Sequence, residues 1–442
     1  MSDPTINDAS AVQDGPHWLA ARRQAARERF AELGFPTRKN ENWHYTSVNP
    51  IVEAGYTQLT TPSGNVTSAA LAPFTFDQPD WPLVVFLNGR YSAELSTPAD
   101  QLPEGVRVAT LGALLSEGQE APEEVRELVR EHLLAIADTQ ENAFTALNAA
   151  LAADGVVVAI GSEMVVDTPI HLIFVTDPAA DSRAMHTRNL VVAGRHSRAS
   201  ILESYVGLGG AAYFMNAVTE VVVDAGATLN HVKVQRESDR AFHIGTADTT
   251  QGRDSHYQHF SFATGAALSR TNVHTLLGGE GCGATLNGLY MLDGEQHCDH
   301  QTRIEHKEPN CFSREVYKGL LAGRSHGVFN GKVYVHPEAQ KTDGKQENNV
   351  ILLSETAQID SKPELEIYAD DVKCTHGATV GQLDETALFY MKSRGVDATT
   401  ARQLLTYAFA ADVIETIEQE AVRDGLESLT LERFTGIEVG AR

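Results

Sequence analysis

Between residues 156 and 381 the chain shows no helical period at all. Short apolar runs (VVVAI, IHLIFV, NLVVAG, TEVVVDAG and NGKVYVH) alternate instead with Gly, Asp and Asn turns. So long a stretch built from strands alone is a sandwich, a barrel or a solenoid. A Gly-Ala-Thr or Gly-Ala-Ala element recurs in it, in DAGATLN, ATGAALS, GCGATLN and THGATVG, with its glycines at 226, 265, 283 and 377. The gaps of 39, 18 and 94 residues lie near two, one and five units of about 19, the length expected for a coil of two short strands and two turns. On this spacing we expect a parallel β-helix, with a sandwich as the competing architecture.

Helical patterns flank the β region. GPHWLAARRQAARERFAELGFP reads as an amphipathic helix with Trp18, Ala21, Ala25 and Ala26 near one face, stopped by Gly34 and Pro36. PLVVFLNGRYSAEL carries an Asn88-Gly89 hairpin signal, and a helical pair follows at about 109–150. Beyond residue 381, Asp384 is placed to cap one helix and Asp397 the next, with Gly395 as the stop between them. The second of these carries Leu404, Leu405, Phe409 and Val413 around most of its circumference, so either its own β domain or a partner must cover it. The expected division is 1–150, mostly helical with a short β insert; 151–382, the β core; and 383–442, helical.

Charge and cysteine usage remove several functions. Thirty-five basic against fifty-nine acidic residues leave a net charge of −24, which repels a phosphate backbone, so no nucleic-acid partner is expected. The opening MSDPTINDASAVQDG has neither a basic nor an apolar region of an export signal, and no apolar run approaches the ~18 residues of a membrane span. Cys282, Cys298, Cys311 and Cys374 form no C-x-x-C pair. Together these lead us to expect a soluble, cytoplasmic protein. GVFNGKV at 327–333 fails as a phosphate loop: its glycines are one residue too close, and Val333 stands where a magnesium-binding hydroxyl belongs.

Two places group residues able to hold a soft metal. EQHCDHQTRIEHKEPNC contains His297, Cys298, His300, His306 and Cys311; Cys298 and His300 share a strand face, but the spacing fits no zinc module. In DDVKCTHGATVG, Cys374 and His376 likewise project from one face, with Asp370 and Asp371 just upstream. A half-site for a soft metal and a thiol activated by its imidazole neighbour both satisfy that pattern, and so does a core cysteine beside a surface histidine.

The run from TDGKQENNVILL through KCTHGATVGQLDETALFYMKSRGVDATTARQLLTYAFAADVI closely resembles the SufB/SufD family of iron-sulfur cluster assembly proteins. DHQTRIEH and YKGLLAG share the resemblance, with Asp299, His300, His306 and Tyr317 in place, while ENWHYTSV and FTALNAALAADG are similar to its SufD branch. The resemblance implies a right-handed parallel β-helix between helical ends, in a non-ATPase scaffold subunit that pairs with SufB and docks the SufC ATPase. It implies that His376, with Cys374 secondary, meets transient iron or a nascent cluster at the SufB interface, no cofactor being held tightly. It also implies that Phe389, Leu404, Leu405, Phe409 and Val413 on the C-terminal helices face SufC. The alternatives from other classes are a structural β-helix homodimer without metal chemistry and a β-helix enzyme acting on polysaccharide.

Overall fold

The protein is seen here as a computed structural model that describes residues 16–59, 64–115 and 122–433. The polar opening stretch, residues 1–15, lies outside them. From residue 156 on, successive strands alternate between two walls of a parallel β-solenoid. The first wall begins at Val156–Ile160 and ends at Gln358–Ile367; the second begins at Ile170–Thr176 and ends at Lys373–Gly381.

Each coil advances by between 26 residues (Phe242 to Leu268) and 33 (Val157 to Leu190), not the expected 19. The strands are mostly ten residues long, where five or six were assumed. The Gly-Ala-Thr elements are therefore not equivalent positions. Gly226 sits in a turn with φ of +69° and Gly265 closes a strand with φ of +87°, whereas Gly283 opens a strand and Gly377 lies inside one.

The first 150 residues feed the walls directly. Leu83–Leu87 pairs parallel to Ile170–Thr176, and Val106–Thr110 pairs antiparallel to Val156–Ile160. The hairpin turn at Asn88 and Gly89 is present, both residues having positive φ. Helices α1 (His17–Leu33), α2 (Glu123–His132) and α3 (Ala143–Leu151) cover the outer face of the first wall. In α1 the buried stripe is Leu19, Arg23, Ala26 and Phe30; Ala21 and Ala25 face solvent. Arg23 reaches across to donate to the Ala152 carbonyl at 2.7 Å, which lets a charged residue occupy the buried face. Beneath these helices Glu220 accepts the backbone N–H groups of residues 134–137 and pairs with Arg188 at 3.0 Å.

The second wall buries side chains on both faces. Apolar residues on its outer face, among them Val232, Val234, Phe260, Phe262, Leu289 and Met291, enter a cluster closed by C-terminal helices. Its inner face sets buried polar residues among apolar ones such as Leu229, Tyr257, Leu286 and Leu292. Lys233 Nζ lies 2.9 Å from His243 Nε2 on the opposite wall, His243 pairs with Glu237 at 2.7 Å, and His231 pairs with Glu203 at 2.8 Å. Burial pushes the Glu203 carboxyl up, but the hydrogen bond and charge of His231 outweigh it and hold the group at about 2. Burial lowers the Lys233 ammonium to about 8. Large rings fill the remaining volume by lying over glycines of neighbouring coils: a Cβ on Gly288 would stand 2.3 Å from the Tyr317 ring.

Burial depresses His171, His186 and His300 to about 3, and His297 and His306 to about 4. Each of these binds a proton near its ordinary value of about 6.5 only when the chain unfolds, so the unfolded state carries more protons and stability falls as pH falls. Glu315, pushed up to about 7 by burial, opposes this, because its folded carboxyl holds a proton that the unfolded chain has released. Five histidines outweigh one carboxyl. Urea titrations at pH 6.5 and 4.5 are expected to show a lower midpoint at the acid pH, each histidine contributing up to about 1.4 kcal/mol per pH unit.

Candidate functional site

The ladder stops at Lys373–Gly381. This strand pairs with Asp343–Leu352 on one side, with Gly344 opposite Cys374 and Gln346 opposite His376, and among the described residues no strand pairs on the other. In a parallel strand, alternate residues offer their backbone groups to alternate sides. Lys373 donates to the Thr342 carbonyl at 2.8 Å, so Thr375, Gly377 and Thr379 also face back into the ladder. The N–H groups of Cys374, His376, Ala378 and Val380 face the open edge.

The first wall ends differently. Gln358 donates back to Ser325 at 2.9 Å, which places residue 363 on the outward-facing set, and that residue is Pro363 with no N–H to give. One edge is blunted and the other is open.

Cys374 and His376 occupy the inward-facing row of the open rung. Cys374 is half-buried, packed near Val333 and Leu365 of the facing wall, with Gly344 leaving room beneath it. Burial raises its thiol above the ordinary value, the Gly344 backbone N–H offsetting part of the rise. His376 is exposed, and directly below it in the stack lie Gln346 and then Glu315. Gln346 Nε2 donates to Glu315 Oε2 at 2.7 Å, while the other side-chain oxygen of each is buried with no hydrogen-bond partner.

Neither upstream aspartate completes a site, for Asp371 pairs with Lys341 on the outer turn. No group of three or more metal-ligating side chains exists among the described residues. Cys374 and His376 stand side by side at an uncovered end, two residues of types that can ligate a metal.

The other cluster separates. Cys298 and His300 do share a face, at 3.6 Å between Sγ and Nδ1, but that face is the sealed interior, not solvent. His300 bonds Ser261, His306 bonds Ser313, and burial pushes the Cys298 thiol up to about 12. His297 and Asp299 face outward and hold ENWHYTSV instead: Thr46 bonds both, and Arg270 pairs with Asp299 at 2.7 Å while stacking 3.7 Å over Trp43. The residues of these two motifs fasten the N-terminal segment to the first wall. GVFNGKV lies within the strand His326–Val335, with Lys332 bonded to Glu366, and forms no loop.

After Gly381 the chain leaves the end of the solenoid and returns along the outside of the second wall as α4 (Glu385–Ser393), α5 (Ala398–Ile414) and α6 (Glu420–Arg433). Asp384 and Asp397 cap α4 and α5 as expected, and Gly395 has φ +90°. The helix α6, which lies in the expected helical segment 383–442 although no separate helix is placed there from the sequence, covers part of what α5 would otherwise expose. Val413 is buried against the wall, Phe409 is half-buried with its carbonyl accepting Lys318 Nζ, and Leu405 is half-buried. The large apolar side chains these helices leave exposed are Phe389 (73% exposed), Tyr390, Leu404 and Leu431, so of the five residues expected to face a partner only Phe389 and Leu404 are exposed. No described helix is long and apolar enough to cross a membrane.

Comparison with known proteins agrees with this architecture. Residues 174–409 match the family described as "SUF system FeS cluster assembly, SufBD core domain", and residues 7–172 match "SufBD protein N-terminal region". The chain is 31% identical to the iron-sulfur cluster assembly protein SufD of Escherichia coli over 99% of each chain. It is 32% identical to a SufBD family protein of Synechocystis over 90% of this chain and 87% of that one, and 26% identical to SufD of Bacillus subtilis over 96% of each.

Three of the four cysteines are 0 to 1% exposed, and only Cys374 reaches the surface. Labelling of the folded chain with iodoacetamide is expected to modify Cys374 alone, faster at pH 9 than at pH 7, with Cys282, Cys298 and Cys311 reacting only after denaturation. Peptide mapping of the alkylated protein reads this directly.

Proposed function

The chain belongs to the SufBD family of iron-sulfur cluster assembly proteins, and from that premise we propose that it is a scaffold subunit whose open second-wall edge pairs with SufB. The observation that carries this reading is the last rung: Cys374 and His376 side by side, unaccompanied by a third ligand, on an edge whose backbone groups are free. A strand from SufB added to that edge would satisfy the free N–H groups and bring further ligands against the same row. Iron or a nascent cluster is then a cargo shared across the interface. His376 serves as the principal ligand from this side and Cys374 as the second. Tetrahedral iron takes four ligands, which two residues of one chain leave half supplied.

The pairing is assigned to the second wall because Pro363 removes a donor from the first. The homodimer reading uses the same edge and predicts no metal. The polysaccharide reading lacks support at this end, where a thiol and an imidazole stand in place of paired carboxylates.

The exposed patch of Phe389, Tyr390 and Leu404 is the surface we assign to SufC. ATP chemistry belongs to that partner, since the one phosphate-loop-like segment here is a strand.

Two substitutions separate the edge from the ligand. Ala378→Pro deletes an outward N–H without touching the internal ladder, and is expected to abolish co-purification of SufB while leaving the far-UV spectrum unchanged. His376→Ala is expected to leave the SufB complex intact but with iron and sulfide well below the wild-type content after anaerobic co-expression. Normal metal content in the histidine variant would remove the ligand role and leave the pairing standing. For the helical patch, Phe389→Asp should weaken SufC binding by about 2 kcal/mol or more, roughly thirtyfold in Kd, in a calorimetric titration.

A further inference from the structure

Two cysteines remote from the open end are stacked on consecutive coils. Phe312 donates its N–H to the Cys282 carbonyl at 3.0 Å, and Gly283 stands opposite Phe312, so Cys282 and Cys311 occupy one register position in adjacent turns. The coil below them has Ser255 at this position and the coil above has Thr342. Those hydroxyls bond back to their own turns, Ser255 to the Gly252 carbonyl at 2.7 Å and Thr342 to that of Ala339 at 2.8 Å. The thiols instead reach along the stack: Cys282 Sγ to the Gly252 carbonyl at 2.9 Å, and Cys311 Sγ to the Gly279 carbonyl at 3.3 Å, in the turn that leads into Cys282. Neighbouring strands lie about 4.8 Å apart, inside the Cα separation of about 4.4 to 6.8 Å that a disulfide spans.

We propose that Cys282 and Cys311 form a reversible redox pair that closes to a disulfide across two coils when the protein meets peroxide. Both side chains are buried, which restricts the oxidant to a molecule as small as hydrogen peroxide. Cys282 is the attacking group. The hydrogen bond from Cys311 outweighs burial and lowers its thiol to about 7, whereas the same bond, with burial, raises Cys311.

The Cys282 thiolate attacks one peroxide oxygen and the O–O bond breaks; the departing hydroxide takes up a proton and leaves as water, giving the sulfenic acid. The Cys311 sulfur then displaces the sulfenyl hydroxyl, which leaves with the Cys311 proton as a second water. Two thiols lose two electrons and one peroxide gains them. The bridge ties together the strands Gly283–Leu292 and Phe312–Leu321, the two on which α5 and the turn after it rest, through Lys318 to Asp412 and Asn287 to Thr416. Oxidation therefore fixes the part of the wall that carries the C-terminal helices.

The test uses the full reduced chain, treated with hydrogen peroxide, blocked with N-ethylmaleimide in denaturant and mapped without reduction. The expected product is a linked peptide containing residues 282 and 311, lighter by two hydrogens than the separate peptides and released by dithiothreitol. With an attacking thiol near 7, the linkage should form roughly tenfold faster at pH 8 than at pH 6. It should vanish in Cys282→Ser and Cys311→Ser, substitutions the position accommodates because Ser255 already fills it one coil below. Recovery of both residues as separately blocked or separately oxidised peptides from the folded wild-type chain would overturn the proposal. So would linkage of either residue to Cys298 or Cys374.

Discussion

In-register parallel pairing of one coil on the next is the constraint from which the rest of this structure follows. Each rung uses half of its backbone groups on the coil below and the other half on the coil above, so a solenoid is complete everywhere except at its two ends. At the start, the N-terminal segment adds Leu83–Leu87 and Val106–Thr110, one strand to each wall. At the finish nothing comparable is added among the described residues. The chain departs after Gly381 to lie along the outside of the second wall, because that wall's outer face is apolar and demands cover more strongly than the end does. The open rung is thus a consequence of where the hydrophobic surface lies.

Burial of both faces of the second wall also explains what was legible in the sequence and what was not. Alternation in HVKVQRE identifies a strand and separates Val232 and Val234 from His231, Lys233 and Gln235, but a period of two does not say which set faces inward. Here the helices cover the valines, and the interior takes the polar set, closed by cross-wall bonds such as Lys233 to His243. The caps at Asp384 and Asp397 and the turn at Asn88 and Gly89 were readable because a single residue type at a fixed offset determines each. The coil length was not, since Gly-Ala-Thr serves as a turn at 226 and as strand at 377.

For the site, the shared face of Cys374 and His376 follows from their spacing alone and is present. Their exposure follows from position in the stack, which no local pattern encodes. Cys298 and His300 have identical spacing and lie sealed in the interior, bonded to serine and flanked by tyrosine rings. Two Cys-x-His pairs of equal sequence signal differ in chemistry only because one has coils on both sides of it. The adjacency of Cys282 and Cys311 was equally hidden, because a separation of one coil becomes contact only once the length of the coil is known.

The two walls also end unequally, and the inequality bears on how a partner approaches. On the proposed pairing, a blunted edge at Pro363 beside a free edge at Ala378 favours strand addition on the second wall, where an incoming strand would meet the row of Cys374 and His376 rather than the row opposite. Below that row Gln346 is bonded to Glu315 at 2.7 Å, so the stack beneath the last rung is already closed on itself. On the proposed pairing, what a rung supplied from outside adds is therefore the missing half of the ladder along Lys373–Gly381, together with neighbours for the row that Cys374 and His376 share.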